Sequence, residues 1–224
     1  MHIPDGYLSP QTFVPLFGLF IASAAIAVKK VKTKIDKKLV PFLGMAAAFS
    51  FLIMMFNVPI PGGTTGHAVG AAIIALLFGP WVAFIAVSVA LIIQALVFGD
   101  GGITAIGANC VNMALVMPFV SWFVFKLISG KNTSITRNSI AAFVAGYLSI
   151  NVAAIFAGIE FGIQPIIAAD AAGNPLYSPY PLSIALPTMV FEHLLVFGFV
   201  EAIVTLFIFR YFFKNNKNFI EVLK

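Results

Sequence analysis

Charge is scarce in this sequence: only 9% of its 224 residues are Asp, Glu, Lys or Arg, against about 25% in soluble domains. Hydrophobic residues make up 61% and the mean hydropathy is +1.03. So little polar surface excludes a soluble globular domain, and no long polar stretch, linker or low-complexity tract provides room for a second one. Cysteine is nearly absent, and the single Cys110 excludes an internal disulfide framework and is assigned to packing. No GxxxxGK[ST] phosphate loop occurs, because SGKN at 129–132 lacks both the spacing and the hydroxyl residue, so any ATP-driven step needs another protein. There is no HExxH motif, which weakens a hydrolytic metal site, and no internal repeat, which weakens a self-sufficient secondary transporter. Lys and Arg are missing before residue 12, so the start lacks the basic region of a secretory signal, and MHIPDG is expected to be retained.

What remains is a succession of apolar runs. They predict seven helices at 12–29, 40–56, 67–79, 81–98, 104–128, 139–161 and 183–210. The fold class expected is an all-α membrane protein, a single seven-transmembrane-helix bundle over 12–210. An extracytoplasmic tail covers 1–11 and a cytoplasmic tail covers 211–224.

The net charge of +5 is read by position rather than as a nucleic-acid surface. With the N-terminus outside, all 13 basic residues fall on the cytoplasmic side. Lys29, Lys30, Lys32, Lys34, Lys37 and Lys38 follow the first helix, Lys126, Lys131 and Arg137 the fifth, and Arg210, Lys214, Lys217 and Lys224 the last. Asp5, Asp100, Glu160 and Asp170 lie on or near the other face, so the positive-inside rule holds without exception. The predicted location is the cell membrane, with the C-terminus cytoplasmic.

The third helix is too short. Its thirteen or so residues span about 20 Å of a hydrocarbon core about 30 Å thick. The preceding loop, NVPIPGGTTG at 57–66, carries prolines that forbid a helix and glycines, Gly62, Gly63 and Gly66, that permit tight turns. Irregular backbone at membrane depth is tolerated where protein buries it or where it lines a cavity. The loop is therefore expected to dip inward and deliver His67, at the start of the short helix, to a cavity on the outer face. A second glycine loop, FGDGGIT at 98–104, opens on that face.

An outward, free Met1 amine next to His2 is a chelator. The amine, the His2 backbone nitrogen once deprotonated, and His2 Nδ1 close two fused rings around one metal, and planar peptide geometry favours three coplanar nitrogens. His67 supplies a fourth, completing a square-planar N4 set that suits Ni(II) or Cu(II), whereas Zn(II) prefers a tetrahedron and Mg(II) oxygen. Asp5 is a candidate to orient the other His2 ring nitrogen, Thr64, Thr65 or Asp100 to orient His67, and Asn109 to shape the site behind the glycine loop. The competing reading makes His2 an incidental residue of an exposed tail and His67 a cap for polar loop groups. The residues alone leave both open.

MHIPDGYLS at 1–9, GGTTGH at 62–67 and FGDGGITAIGANCVNMA at 98–114, in that order, resemble the signature segments of the NikM/CbiM family. These are the substrate-capturing membrane components of energy-coupling-factor nickel and cobalt transporters. The resemblance covers essentially the whole chain. It implies seven helices, an N-terminus inserted into the bundle, and Ni(II) or Co(II) held as transported substrate by Met1, His2 and His67, with no organic cofactor. It also implies partners: a transmembrane coupling component, a cytoplasmic ATPase pair and a small accessory membrane subunit. Ala46, Ala47 and Ala48 are docking candidates for the coupling component, with helix packing inside the bundle as the alternative.

Glu192, His193 and Glu201 in the last helix are ionisable groups at membrane depth. They support a second reading, an intramembrane enzyme, or a plainer one of hydrogen-bonded braces. Asn112 and Asn151 are similarly ambiguous. Met54, Met55, Met113 and Met117 read as packing rather than Cu(I) ligands. Ala142 with Gly146, and Ala154 with Gly158, read as close-packing pairs.

Overall fold

The structure is a computed structural model that describes residues 1–32, 39–60, 64–130 and 134–215, without the side chain of Leu39. Lys34, Lys37, Lys38, Lys131, Lys217 and Lys224, and the loop glycines Gly62 and Gly63, lie outside the described residues. Among the described residues, seven helices and one small hairpin follow in order: α1 (Pro10–Lys32), α2 (Leu39–Met54), β1 (Val58–Ile60), β2 (Thr64–Gly66), α3 (Ala71–Phe78), α4 (Pro80–Phe98), α5 (Ile106–Ser129), α6 (Ile135–Ile167) and α7 (Leu182–Asn215). Five of them, α1, α4, α5, α6 and α7, are long and apolar enough to cross a membrane; α2 has 16 residues and α3 only eight.

Two expectations need correction. The 57–66 loop is not wholly irregular: Val58, Pro59 and Ile60 pair antiparallel with Gly66, Thr65 and Thr64, so the chain is mostly rather than entirely helical. The third helix starts at Ala71 instead of residue 67, leaving His67 on a non-helical strap of four residues between β2 and α3. Gly70 ends that strap in the left-handed region at φ +73.

In lipid there is little hydrophobic force between helices, so their contact depends on close fit, which small residues allow. α6 lies between α5 and α7. Ala142 and Ala154 are fully buried, and the faces of Gly146, Gly158 and Gly162 meet the α7 backbone at Ala202, Leu186 and Leu182. Met54, Met113 and Met117 are buried in the same core, as packing predicts. Large apolar side chains such as Phe123, Leu127, Phe191 and Phe207 face outward.

The described basic residues collect at one end. Lys30 lies beside the Gly79–Pro80–Trp81 turn, Arg137 donates to the Ile128 carbonyl, and Arg210 shares a groove with Thr136 and Ser139. At the opposite end the tail, the 98–104 loop and the hairpin meet. The α6–α7 connection joins them there, with the Ser178 amide donating to the Tyr7 carbonyl. That connection is pinned by Asp170, whose carboxylate accepts from the amides of Ala172 and Asn174 and from the Asn174 side chain.

Candidate metal centre

Residues 1–9 are folded onto the bundle. Met1, His2 and Ile3 are buried at 1%, 4% and 0% exposure. A non-helical segment buried like this needs partners for its backbone, and the two glycine-bearing segments provide them. The Asn109 side chain forms a two-way bridge to Ile3, its Oδ1 accepting from Ile3 N (2.9 Å) and its Nδ2 donating to Ile3 O (3.2 Å). Gly102 N also donates to Ile3 O (2.8 Å), and Thr64 Oγ1 donates to His2 O (2.9 Å). Further along, Ser9 N donates to Gln164 Oε1 (2.9 Å), whose amide nitrogen donates to Thr12 Oγ1 and to the Glu160 carbonyl.

Glycine is needed where loop and tail touch. A Cβ on Gly102 would strike the backbone of Pro4 and Asp5, and one on Gly101, which has φ +89, would press on the Asn109 amide and the His2 ring.

Asp5 differs from expectation. Its carboxylate accepts from Ile103 N (3.0 Å), Thr104 N (2.8 Å) and Thr104 Oγ1 (2.6 Å), locking the tail to the loop rather than orienting His2. Partial burial pushes the Asp5 carboxyl up, but the bonds from Thr104 and Ile103 outweigh it and hold it below its ordinary value. Asp100 stands beside His2 instead of His67: its Oδ1 is 3.3 Å from His2 Nδ1, without hydrogen-bond alignment, and its Oδ2 accepts from Asn57 (3.4 Å). Thr64 holds His2, not His67, and the Thr65 hydroxyl is buried without a partner.

The imidazoles of His2 and His67 stack with centroids 4.5 Å apart and planes 27° from parallel. His67 is fully buried, and its Nδ1 lies 3.1 Å from the Ala68 carbonyl. That bond places the proton on Nδ1 and the lone pair on Nε2, which has no partner. Neither ring nitrogen of His2 has a hydrogen-bond partner. The Met1 amine is near enough to act electrostatically on both rings, on Asp100 and, from α7, on Glu192 and His193. Burial lowers the amine to about 4, although Asp100 and Glu192 pull it upward, and lowers His2 to about 3, helped by the amine's charge. His67 is held well below its ordinary value for the same first reason. At neutral pH, therefore, an unprotonated amine and two neutral imidazoles share one buried space. Among the described residues no three His, Cys, Asp or Glu side chains converge as a metal cluster.

Of the remaining candidates, Glu201 is fully committed to backbone amides of the His67 strap, and Asn112 donates to the buried Glu160 (2.8 Å). Asn151 donates to Tyr147 O one turn earlier on α6. His193 Nδ1 donates to Met189 O (2.7 Å), and its Nε2 is buried and unpartnered. None of these pairs a nucleophile with a base.

Three contributors escape sequence reading: Thr104, Gln164 and Gln94, which is fully buried and whose side chain interacts with His2. The signal for Gln94 is one amide inside the apolar run ALIIQALVFG at 90–99. Gln94, Asn112 and His193 sit on the three π-helical turns, Gln94–Phe98, Cys110–Val116 and His193–Phe197. Such turns bulge a helix and re-aim its side chains.

An apolar helix bundle with five helices long and apolar enough to cross a membrane defines the class as a membrane protein, with two imidazoles stacked beside its buried first residue. The chain belongs to the CbiM family, described as the cobalt uptake substrate-specific transmembrane region, which it matches over residues 2–219. It is 51% identical over 213 residues to a probable fused nickel transport protein of Lactiplantibacillus plantarum, covering 94% of this chain and 64% of that one. It is 52% identical over 206 residues to the fused nickel transport protein of Rhodobacter capsulatus, covering 92% and 59%. The chain thus spans less than two thirds of either fused relative. A crystal structure of a truncated transition metal transporter superposes with a TM-score of 0.92 at 47% identity, over 96% of this chain and 99% of that one.

Proposed function

We propose that this protein is the substrate-specific membrane component of a transition-metal importer of the energy-coupling-factor type, capturing Ni(II) at the outer face of the cell membrane. The observation that carries this reading is the buried stack of His2 on His67 beside the Met1 amine, with both His2 ring nitrogens and His67 Nε2 left without a well-aligned hydrogen-bond partner. Buried polar atoms without partners cost about 1–3 kcal/mol each, and a metal ion is what would offset that cost.

In the proposed complex the Met1 amine, the deprotonated His2 amide, His2 Nδ1 and His67 Nε2 form the N4 set. The tail's anchors divide the work: Asn109, Gly102 and Thr64 fix the Ile3 and His2 backbone, while Asp5 fastens the tail to the loop. Asp100, beside His2 Nδ1, contributes negative charge where the ion's positive charge would lie. The rings are stacked rather than edge to edge, so closing the plane takes a rotation of one ring. The N4 set favours Ni(II). Co(II) is the second substrate reading, supported by the family's description as a cobalt uptake region.

Seven crossings with the N-terminus outside are part of the proposal, supported by the gathering of described basic residues at the end away from the tail. With no phosphate loop in the sequence, energy would come from an ATPase pair acting through a transmembrane coupling component, with a small accessory membrane subunit. The intramembrane-enzyme reading has no support in the geometry, because Glu201 is consumed by the strap's amides.

The test is a Ni(II) titration of the purified chain with its absorption spectrum. One ion per chain with a square-planar signature is expected, and binding at least about 100-fold weaker in His67→Ala. An octahedral spectrum, or unchanged affinity in His67→Ala, counts against the N4 site.

A further inference from the structure

We propose that Glu201 is the residue that positions His67 for metal capture, a role that rests on the site reading above. His67 does not belong to a helix. It sits on the strap 67–70, and a strap would let its imidazole wander unless something outside it fixed the backbone. Glu201, buried at 0% exposure on α7, does this. Its Oε2 accepts from Val69 N (2.8 Å) and Gly70 N (2.8 Å), and its Oε1 from Ala72 N (3.2 Å).

The donors are the two residues after Ala68 and the second residue of α3, where the first amides of a helix have no partners of their own. From the other side Ser50 Oγ on α2 donates to Val69 O (2.8 Å). Upstream of His67, Gly66 lies against the ring of Phe197, also on α7, so closely that any Cβ there would overlap the ring. His67 is thus bracketed by two contacts from one helix, Phe197 before it and Glu201 after it.

A carboxyl group at membrane depth is costly and is retained where it has a specific task. Here all its bonding goes to three backbone amides, each within five residues of His67. A carboxamide cannot substitute, because its NH2 would have to face at least one of those N–H donors. The position of the imidazole is therefore set by α7 rather than by the short helix that follows it, so a shift of α7 moves a ligand.

The experiment compares wild type with Glu201→Gln, Glu201→Asp and Ser50→Ala in two readouts. The first is Ni(II) affinity and spectrum per folded chain. Glu201→Gln is expected to weaken binding about tenfold or more and to shift the nickel spectrum, with smaller losses in the same direction for Glu201→Asp and Ser50→Ala. A merely structural residue would lower the folded fraction and leave the spectrum of the folded molecules unchanged. The second is hydrogen exchange at Val69, Gly70 and Ala72 in metal-free protein, expected to be at least about tenfold faster in Glu201→Gln.

Wild-type affinity and spectrum in folded Glu201→Gln, or unchanged exchange, overturn the proposal. If Glu201→Gln fails to fold, wild-type binding in both milder variants overturns it instead. Absence of a nickel site in wild type would sink the site reading, and the exchange experiment would still decide whether Glu201 holds the strap.

Discussion

Three ring nitrogens beside the Met1 amine, both of His2 and Nε2 of His67, are buried without a hydrogen-bond partner. The proton balance of these groups gives the residue-scale prediction. In a released tail the Met1 amine and His2 would have ordinary values of 8.0 and 6.5; docked, they fall to about 4 and about 3. The docked tail therefore holds fewer protons than the released one, and docking in metal-free protein must strengthen as pH rises. It is fully established above pH 8, weakens by about tenfold per unit as pH falls below 8, and weakens more steeply below 6.5 as His2 joins. Asp5 acts with the same sign but lower: its docked carboxyl is depressed below 3.8, so its contribution is complete above that value and lost only in stronger acid. Exchange at the Ile3 amide, compared at pH 8.5 and pH 6, checks this. Protection that does not change between the two contradicts it.

At the scale of elements, the bundle depends on how closely α6 and α7 approach. A Cβ on Gly162 would lie 2.6 Å from Leu182 Cα, a backbone atom that cannot swing aside. Gly162→Val is therefore expected to destabilise the protein by about 1–3 kcal/mol, seen as a lower melting temperature in detergent, and no loss would contradict the close-packing account. The elements also show what the sequence made legible. Long apolar runs placed the helices to within a few residues, and Gly146 and Gly158 were readable as packing sites because small residues at four-residue spacing have few other uses in lipid. The hairpin was not readable, since three-residue strands containing Pro59 carry no alternating pattern. Nor was the start of α3: apolar residues run through from Ala68, and only the distant Glu201, together with the left-handed turn at Gly70, delays the helix to Ala71. Within the candidate site, the sequence singled out His2 and His67, and the structure stacks their rings. Their neighbours were misassigned because sequence distance favoured Asp5 for His2, whereas the amides of the 103–104 turn, 98 residues away, outcompete it.

The whole molecule arranges these parts asymmetrically, with basic residues at one end of the bundle and the inserted tail, hairpin and glycine loop at the other. The hydrogen bonds that hold the tail act on residues 2–9, and the first residue is buried at 1% exposure. If the chain's own amino terminus is a ligand, moving that terminus removes a donor. Ni(II) affinity should be measured for the purified protein beginning at Met1 and for the same protein with a few residues added before it. The extension replaces the amine by an amide and is predicted to abolish high-affinity binding while the helix content stays the same. Equal affinity in the two proteins would contradict the account.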